Sequence, residues 1–243
     1  MAFTKVRTRK LDSSLDLIEQ DDLGCFTATT ITLISGSLTI DGDLGLGGGL
    51  TIGTLTISSG GDLRLNDSGT CWDDLRVPVS SLKVPAANNP DWVSYGAGRL
   101  LGFGAQAVSG NEEMVFFTAQ MPHNMKLDGE IEAHVHWLYT AAEPTKAVRW
   151  HLLYNWVNAG QEINTTGTAY VLASTGDPDT HIYTDLGELS RSNAPTLSSM
   201  LICRLTRNSS NVDDTYSADA ILMEIDFHYE VDGFGSEEEL VKI

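Results

Sequence analysis

Residues 130–139 read Glu-Ile-Glu-Ala-His-Val-His-Trp-Leu-Tyr. Side chains of a β-strand alternate between its two faces. Ile131, Ala133, Val135, Trp137 and Tyr139 therefore face one way, and Glu132, His134 and His136 face the other. One apolar and one polar face describe a strand whose sheet covers a core on one side only, which is the habit of antiparallel sheets. Alternation recurs over Ala218–Val231, where Ile221, Met223, Ile225, Phe227 and Tyr229 are expected to oppose Leu222, Glu224, Asp226, His228 and Glu230. Further strands are expected at Met114–Ala119, Ala147–Val157, Ala169–Ala173, His181–Leu186 and Leu201–Arg207, where β-branched and aromatic residues concentrate. Turn signals separate them at Gly110-Asn111, Ala159-Gly160, Gly176-Asp177-Pro178 and Asn208-Ser209. Seven or eight antiparallel strands at this spacing predict a two-sheet sandwich of jelly-roll type over residues 71–232.

Upstream the pattern changes. Residues 28–66 carry little charge, much Gly and Thr, and aliphatic pairs at i, i+2: Ile31/Leu33, Leu38/Ile40, Leu44/Leu46, Leu50/Ile52, Leu55/Ile57 and Leu63/Leu65. Gly-rich turns lie between the pairs, and Leu-Thr-Ile recurs at 38–40, 50–52 and 55–57. Short strands at a period near six predict a β-solenoid-like stalk over 28–70. Six narrow rungs enclose too little apolar volume in one chain. Three chains around one axis would enclose enough, so Leu38, Ile40, Leu44, Leu46, Leu50, Ile52, Leu55 and Ile57 are the expected axis of a homotrimer. The whole chain is thus expected to be all-β: a short trimeric solenoid-like stalk, then an antiparallel jelly roll. A Gly-rich linker is the alternative for 28–66.

Residues 1–27 gather Lys5, Arg7, Arg9 and Lys10 ahead of the acidic run Leu-Asp-Ser-Ser-Leu-Asp-Leu-Ile-Glu-Gln-Asp-Asp at 11–22. This reads as a docking arm or as a surface tail. Residues 233–243, with Glu237–Glu239, read as an acidic tail. The 243 residues carry 33 acidic against 15 basic side chains, a net charge of −18, which argues against nucleic-acid or anionic-membrane binding. No apolar run approaches the roughly 20 residues that span a bilayer, and no apolar stretch follows the basic N-terminus as in a signal peptide. Cys25, Cys71 and Cys203 are odd in number and lack metal spacing, so free thiols and assembly in a reducing cytoplasm are expected.

For chemistry, His134-Val135-His136 is the most pointed feature. Two imidazoles on one strand face could share a metal, with Glu132 beside them. Jelly-roll enzymes of the cupin type use such a pair with a following carboxylate and a third His. Here Thr140 and Ala141 stand where that carboxylate is needed and Glu143 comes too late. The pair is therefore read as part of a wet or intersubunit sheet face, with no metal or other cofactor expected. His123, His151, His181 and His228 are isolated in sequence and read as surface or satisfied histidines. No GxSxG, P-loop or dinucleotide motif occurs. Acid pairs for glycoside chemistry would come from Asp73, Asp74, Glu224 and Asp226, but nothing singles them out. Strand parity points Cys203 away from Arg204, so the thiol lacks an activating neighbour. Trp72, Trp92, Tyr95, Trp137, Trp150, Tyr154 and Trp156 could stack on sugars, but core packing is the stronger reading. No catalytic residue is assigned.

Several segments together resemble a known family. They are Cys71-Trp-Asp-Asp-Leu-Arg-Val-Pro-Val-Ser-Ser-Leu82, Gln120-Met-Pro-His123, Glu132-Ala-His-Val-His-Trp137, Trp156-Val-Asn158, Met200-Leu-Ile-Cys-Arg-Leu-Thr-Arg207 and Glu224-Ile-Asp-Phe-His-Tyr-Glu230. Over about 70–232 they look like a domain of virion structural proteins of tailed bacteriophages. The resemblance implies a trimeric, non-enzymatic particle-surface component, made in the host cytoplasm and attached through its N-terminus. Lys5, Arg7, Arg9 and Lys10 are the expected attachment residues, with capsid or tail proteins as partners. A capsid decoration, cement protein or short head spike is expected, because the stalk is short. The alternatives are a tail fibre or tailspike tip that binds host surface glycan, and a cupin-like metalloenzyme.

Overall fold

The computed structural model describes residues 50–53, 55–57, 63–65, 69–105, 108–143, 145–163, 166–174, 177–191, 194–236, 239 and 242. The strands are β1 (Leu50–Ile52), β2 (Leu55–Ile57), β3 (Leu63–Leu65), β4 (Cys71–Pro78), β5 (Asp91–Tyr95), β6 (Gly98–Phe103), β7 (Met114–Gln120), β8 (Ile131–Tyr139), β9 (Ala147–Val157), β10 (Thr166–Ser174), β11 (Ile182–Glu188), β12 (Met200–Arg207) and β13 (Ala220–Val231). Among the described residues there is no α-helix; 3-10 turns occur at Gly69 and at Val79–Ser81. None of their helices, accordingly, is long and apolar enough to cross a membrane.

Every strand pair is antiparallel. One sheet runs β10-β9-β12-β7, and the other runs β11-β8-β13-β6-β5, with β4 also on β13. β4 and β6 share one edge of β13: β6 pairs with 220–222 and β4 with 224–231. Leaving aside the inserted β5–β6 hairpin, the chain changes sheet at every connection from β4 to β13 except β9–β10. That interleaving is the strand order of a double-sheet jelly roll.

The core lies between the sheets and follows from strand parity. Along β9 burial alternates without a break, so Val148, Trp150, Leu152, Tyr154 and Trp156 face inward. From β8, Ile131, Ala133, Val135, Trp137 and Tyr139 meet them, as the alternation predicted. Trp150 packs edge-on against Trp137 at 5.8 Å and against Phe103 of β6 at 5.3 Å, so both sheets contribute to one aromatic centre. Such pairs add about 0.5–1.5 kcal/mol each beyond their burial. The Trp137 indole N–H donates to Thr184 Oγ1 at 2.8 Å, and that of Trp156 to Asn158 Oδ1 at 2.9 Å. Gly167 leaves room for a ring: a Cβ there would come within 2.2 Å of the Tyr154 ring across the β9–β10 pair.

Two expectations need correction. In β13 the register against β8 slips between Leu222 and Glu224. A bulge inserts one residue and reverses parity beyond it. The core face is therefore Ala220 and Leu222, then Ile225, Phe227, Tyr229 and Val231; Ile221 and Met223 do not belong to it. The repeats at 50–65 do not stack as solenoid rungs. β1, β2 and β3 form an antiparallel meander, with Leu50 opposite Ile57 and Ile57 opposite Leu63. Gly53, at φ +59°, lies in the short β1–β2 connection and takes the left-handed backbone that such a turn needs. Aliphatics at i, i+2 suit a strand of either architecture, and the short turn favours the hairpin. β3 is tied to the sandwich by the Leu65 N–H, which donates to the Asp232 carbonyl at 2.7 Å. Leu38, Ile40, Leu44, Leu46 and the arm residues Lys5, Arg7, Arg9 and Lys10 lie outside the described residues.

β4, β5 and β6 went unnoticed in the sequence because their faces are mixed: β4 is an exposed strand with only Val77 fully buried. A second feature had no sequence signal either. Arg207 is fully buried at the end of β12. Its guanidinium donates to Asp214 through Nη2 at 2.9 Å and Nε at 3.1 Å, to the carbonyls of Phe103 at 2.8 Å and Ala218 at 2.7 Å, and to that of Tyr216. All five N–H groups are thereby used. The Asp214 side chain is 1% exposed, so neutralising it strands a cation in the interior. Asp214→Asn is expected to lower stability by about 3–5 kcal/mol, read as a reduced urea midpoint with unchanged slope.

Candidate functional site

The outward face of the β4-β13-β8-β11 layer carries an ionisable lattice set by strand register. Arg76, Asp226, His134 and Asp185 fall in one row across the four strands. Asp74, His228 and Glu132 fall in the next. Glu224, His136 and Tyr183 make a third. Directly opposed residues in an antiparallel pair lie within contact distance on one face. Four of the six histidines of the chain thus converge here: His134, His136, His181 and His228.

His134 is the centre. It lies on the outer face yet is 0% exposed, because its neighbours close over it. The His228 ring stands perpendicular to it at 4.0 Å, and the Tyr183 ring, inclined at 61°, lies at 4.5 Å. Its Nε2 is 2.8 Å from the Tyr183 hydroxyl and 3.7 Å from both Glu132 Oε2 and Asp185 Oδ1. Burial, and then the carboxylates of Asp185, Glu132, Asp226 and Asp74, push the Tyr183 phenol up. His134 Nδ1 lies 3.4 Å from Oδ1 of buried Asp226, but neither atom makes a hydrogen bond.

Asp226 serves three imidazoles. Its Oδ2 is 3.2 Å from His136 Nε2 and 3.7 Å from His228 Nε2. Burial alone would raise the Asp226 carboxyl, but the nearby imidazoles of His134 and His136 outweigh it and hold the group below its ordinary range. His136 Nδ1 continues to His181 Nε2 at 2.8 Å, and His228 Nε2 to Asp74 Oδ1 at 2.6 Å. Arg76 and Glu224 close the edge as a bidentate pair at 2.5 and 2.6 Å. Two sets of three side chains bring possible metal-ligand atoms within 4.8 Å of one another: Glu132, His134 and His228, and Asp74, Asp226 and His228.

Parity correctly placed Glu132, His134 and His136 on one face. His181 and His228 are satisfied, as expected of isolated histidines, but by joining this cluster. Asp226 and His228 share parity in β13, which was legible; that β13 lies beside β8 was not. The pair points away from the sandwich interior, so an interior metal centre of the cupin kind is not formed by these side chains. Among the acid candidates, Asp74 and Asp226 flank His228, and Glu224 is held by Arg76. Trp137, Trp150, Tyr154 and Trp156 are core residues, whereas Trp72 and Trp92 are exposed. Cys71 and Cys203 are free thiols. Burial pushes the Cys203 thiol well up, so it is not an activated nucleophile.

On the opposite sheet a groove is lined by His151, Tyr170, Arg204 and Thr206. Its aromatic ring is already stacked: Tyr170 lies 4.0 Å from His151 and beneath Arg149 at 4.5 Å. Burial, and then Arg204 and Arg149, hold the His151 imidazole below its ordinary pKa.

No protein-family model matches the chain, and a search of curated proteins returns no similar sequence.

The lowered Asp226 carboxyl carries a pH signature. A group whose folded pKa is depressed stabilises the fold above its unfolded value, and that contribution is lost as pH falls through the folded one. The groups facing Asp226 are His134 and His136 from β8, Asp74 and Arg76 from β4, and His228 on its own strand. Asp226→Asn is expected to be less stable than the parent at neutral pH. The gap should narrow as pH drops below about 3.8, the ordinary value for the group, in urea titrations at stepped pH.

Proposed function

We propose that the chain is a non-enzymatic structural component of a bacteriophage virion: a homotrimeric capsid decoration, cement protein or short head spike. The observation that carries this reading is the interleaved strand order of β4 to β13, a double-sheet jelly roll with a filled aromatic interior. Jelly rolls of this order build viral shells and lectins, so the support is an analogy of fold. It agrees with the resemblance of residues 70–232 to tailed-phage virion proteins. The strong negative charge also suits a solvent-facing surface on which like charge opposes clumping.

Association would run through residues 28–70. In the β1–β3 meander, register sets aliphatic residues opposite aliphatic residues, and Leu55, Ile57, Leu63 and Leu65 are only half-buried in one chain. Three copies meeting there would remove that surface from water. Residues 1–27, through Lys5, Arg7, Arg9 and Lys10, would meet carboxylates on a capsid or tail protein. Each exposed pair contributes only about 0–1 kcal/mol, and three arms per trimer add through effective concentration.

A second reading, a receptor-binding fibre or tailspike tip, is favoured by the surface exposure of Trp72 and Trp92. It predicts saturable binding of host polysaccharide that Trp92→Ala weakens.

Light scattering of the purified chain is expected to give three times 26.3 kDa, and Ile57→Asp should give a smaller species with the head still folded. A stable parent monomer at micromolar concentration would overturn the trimer. Truncation of 1–27 should leave a trimer that no longer sediments with particles lacking this protein. Equal sedimentation of the two forms would place attachment in the head or meander instead.

A further inference from the structure

We infer that the outer face of the β8–β13 pair binds one divalent transition-metal ion of the zinc class through Glu132, His134 and His228. The three side chains come from two adjacent strands and each places a ligand atom within 4.8 Å of the others. Zinc binds imidazole nitrogen and carboxylate oxygen at about 2.0–2.2 Å, which spaces tetrahedral donors about 3.4 Å apart. The 3.7 Å between His134 Nε2 and Glu132 Oε2 is close to that spacing. Asp185 Oδ1, also 3.7 Å from His134 Nε2, is a further carboxylate oxygen beside the site.

The surroundings of His134 suit a ligand role. Its side chain is 0% exposed and that of Asp226 5%, with Nδ1 and Oδ1 3.4 Å apart. A metal on Nε2 would acidify the imidazole, so that Nδ1–H becomes a stronger donor to the carboxylate behind it. A carboxylate behind the distal nitrogen is the usual support of a metal-bound histidine, fixing both tautomer and ring orientation.

Entry is open from solvent. The side chains of Glu132, His228 and Asp185 are 34%, 29% and 49% exposed, whereas His134 forms the buried floor. The Tyr183 hydroxyl, 2.8 Å from His134 Nε2, must yield, and so must the Asp74 carboxylate, 2.6 Å from His228 Nε2, where His228 binds through that nitrogen. Donor types also select the metal: imidazole with carboxylate suits zinc and its transition-metal neighbours better than calcium or magnesium, which take oxygen alone. The sequence reading set metal aside because it sought all ligands downstream of one strand; here the third comes from β13, 94 positions beyond His134. Bound there, the ion would clamp β8 to β13 at the centre of the sheet.

The test uses the full chain without a histidine tag, stripped with a chelator and then titrated with Zn²⁺ and, for its visible spectrum, Co²⁺. About one metal per chain is expected by elemental analysis, with a tetrahedral Co²⁺ absorption and a raised melting temperature. Glu132→Gln and His228→Gln alter partly exposed side chains and should keep the circular dichroism of the parent. Each should weaken Zn²⁺ binding at least tenfold. Tyr183→Phe, which removes the competing hydroxyl, should bind more tightly. Uptake well below one per chain, or uptake indifferent to both Glu132→Gln and His228→Gln, would overturn the site. Loss in Asp74→Asn with retention in Glu132→Gln would equally overturn it, by moving the ion to the neighbouring set.

Discussion

The two-residue alternation of β8 and β13, paired at the middle of one sheet, is the constraint on which the rest depends. Each strand turns one row of side chains between the sheets and the other row outward. Inside, that row supplies Trp137, Tyr139, Ile225 and Phe227 to the core. Outside, it supplies His134, His136, Asp226 and His228. A slip of one residue would exchange the rows and bury charge against Trp150, so core and polar lattice are determined by one register. The bulge at Met223 is the adjustment that keeps both rows in place along a twelve-residue strand.

Buried polar groups are held in two different ways here. Arg207 is as deeply buried as any hydrophobe, yet every N–H it carries meets a carboxylate or a carbonyl. It joins the ends of β6 and β12 to the 214–218 segment, where loops would otherwise leave carbonyls unpaired. His134 and Asp226 are equally hidden but incompletely paired. A fully satisfied network rigidifies the fold around it.

A particle-surface role and a metal clamp are physically compatible. A protein on a virion has to hold its shape without turnover, and a metal bridging two central strands stabilises the folded form by its binding free energy. The two proposals rest on separate parts of the molecule: association on the aliphatic meander, metal on the sheet face.

Composition, turn signals and period two over 71–232 pointed to an all-β, antiparallel sandwich, and residues 131–139 to its inward row and the shared face of Glu132, His134 and His136. Those properties are local, because each follows from a side chain and its neighbour two positions away. The sequence could not show that His228 and Asp226 stand beside His134, nor that β13 carries a bulge, nor that the Leu-Thr-Ile copies at 50–52 and 55–57 fold back as a hairpin rather than stack. Each of these is a choice of partner strand and register. That choice is settled by which pairing buries the most apolar surface over the whole sandwich, a quantity that exists only when every strand is in place.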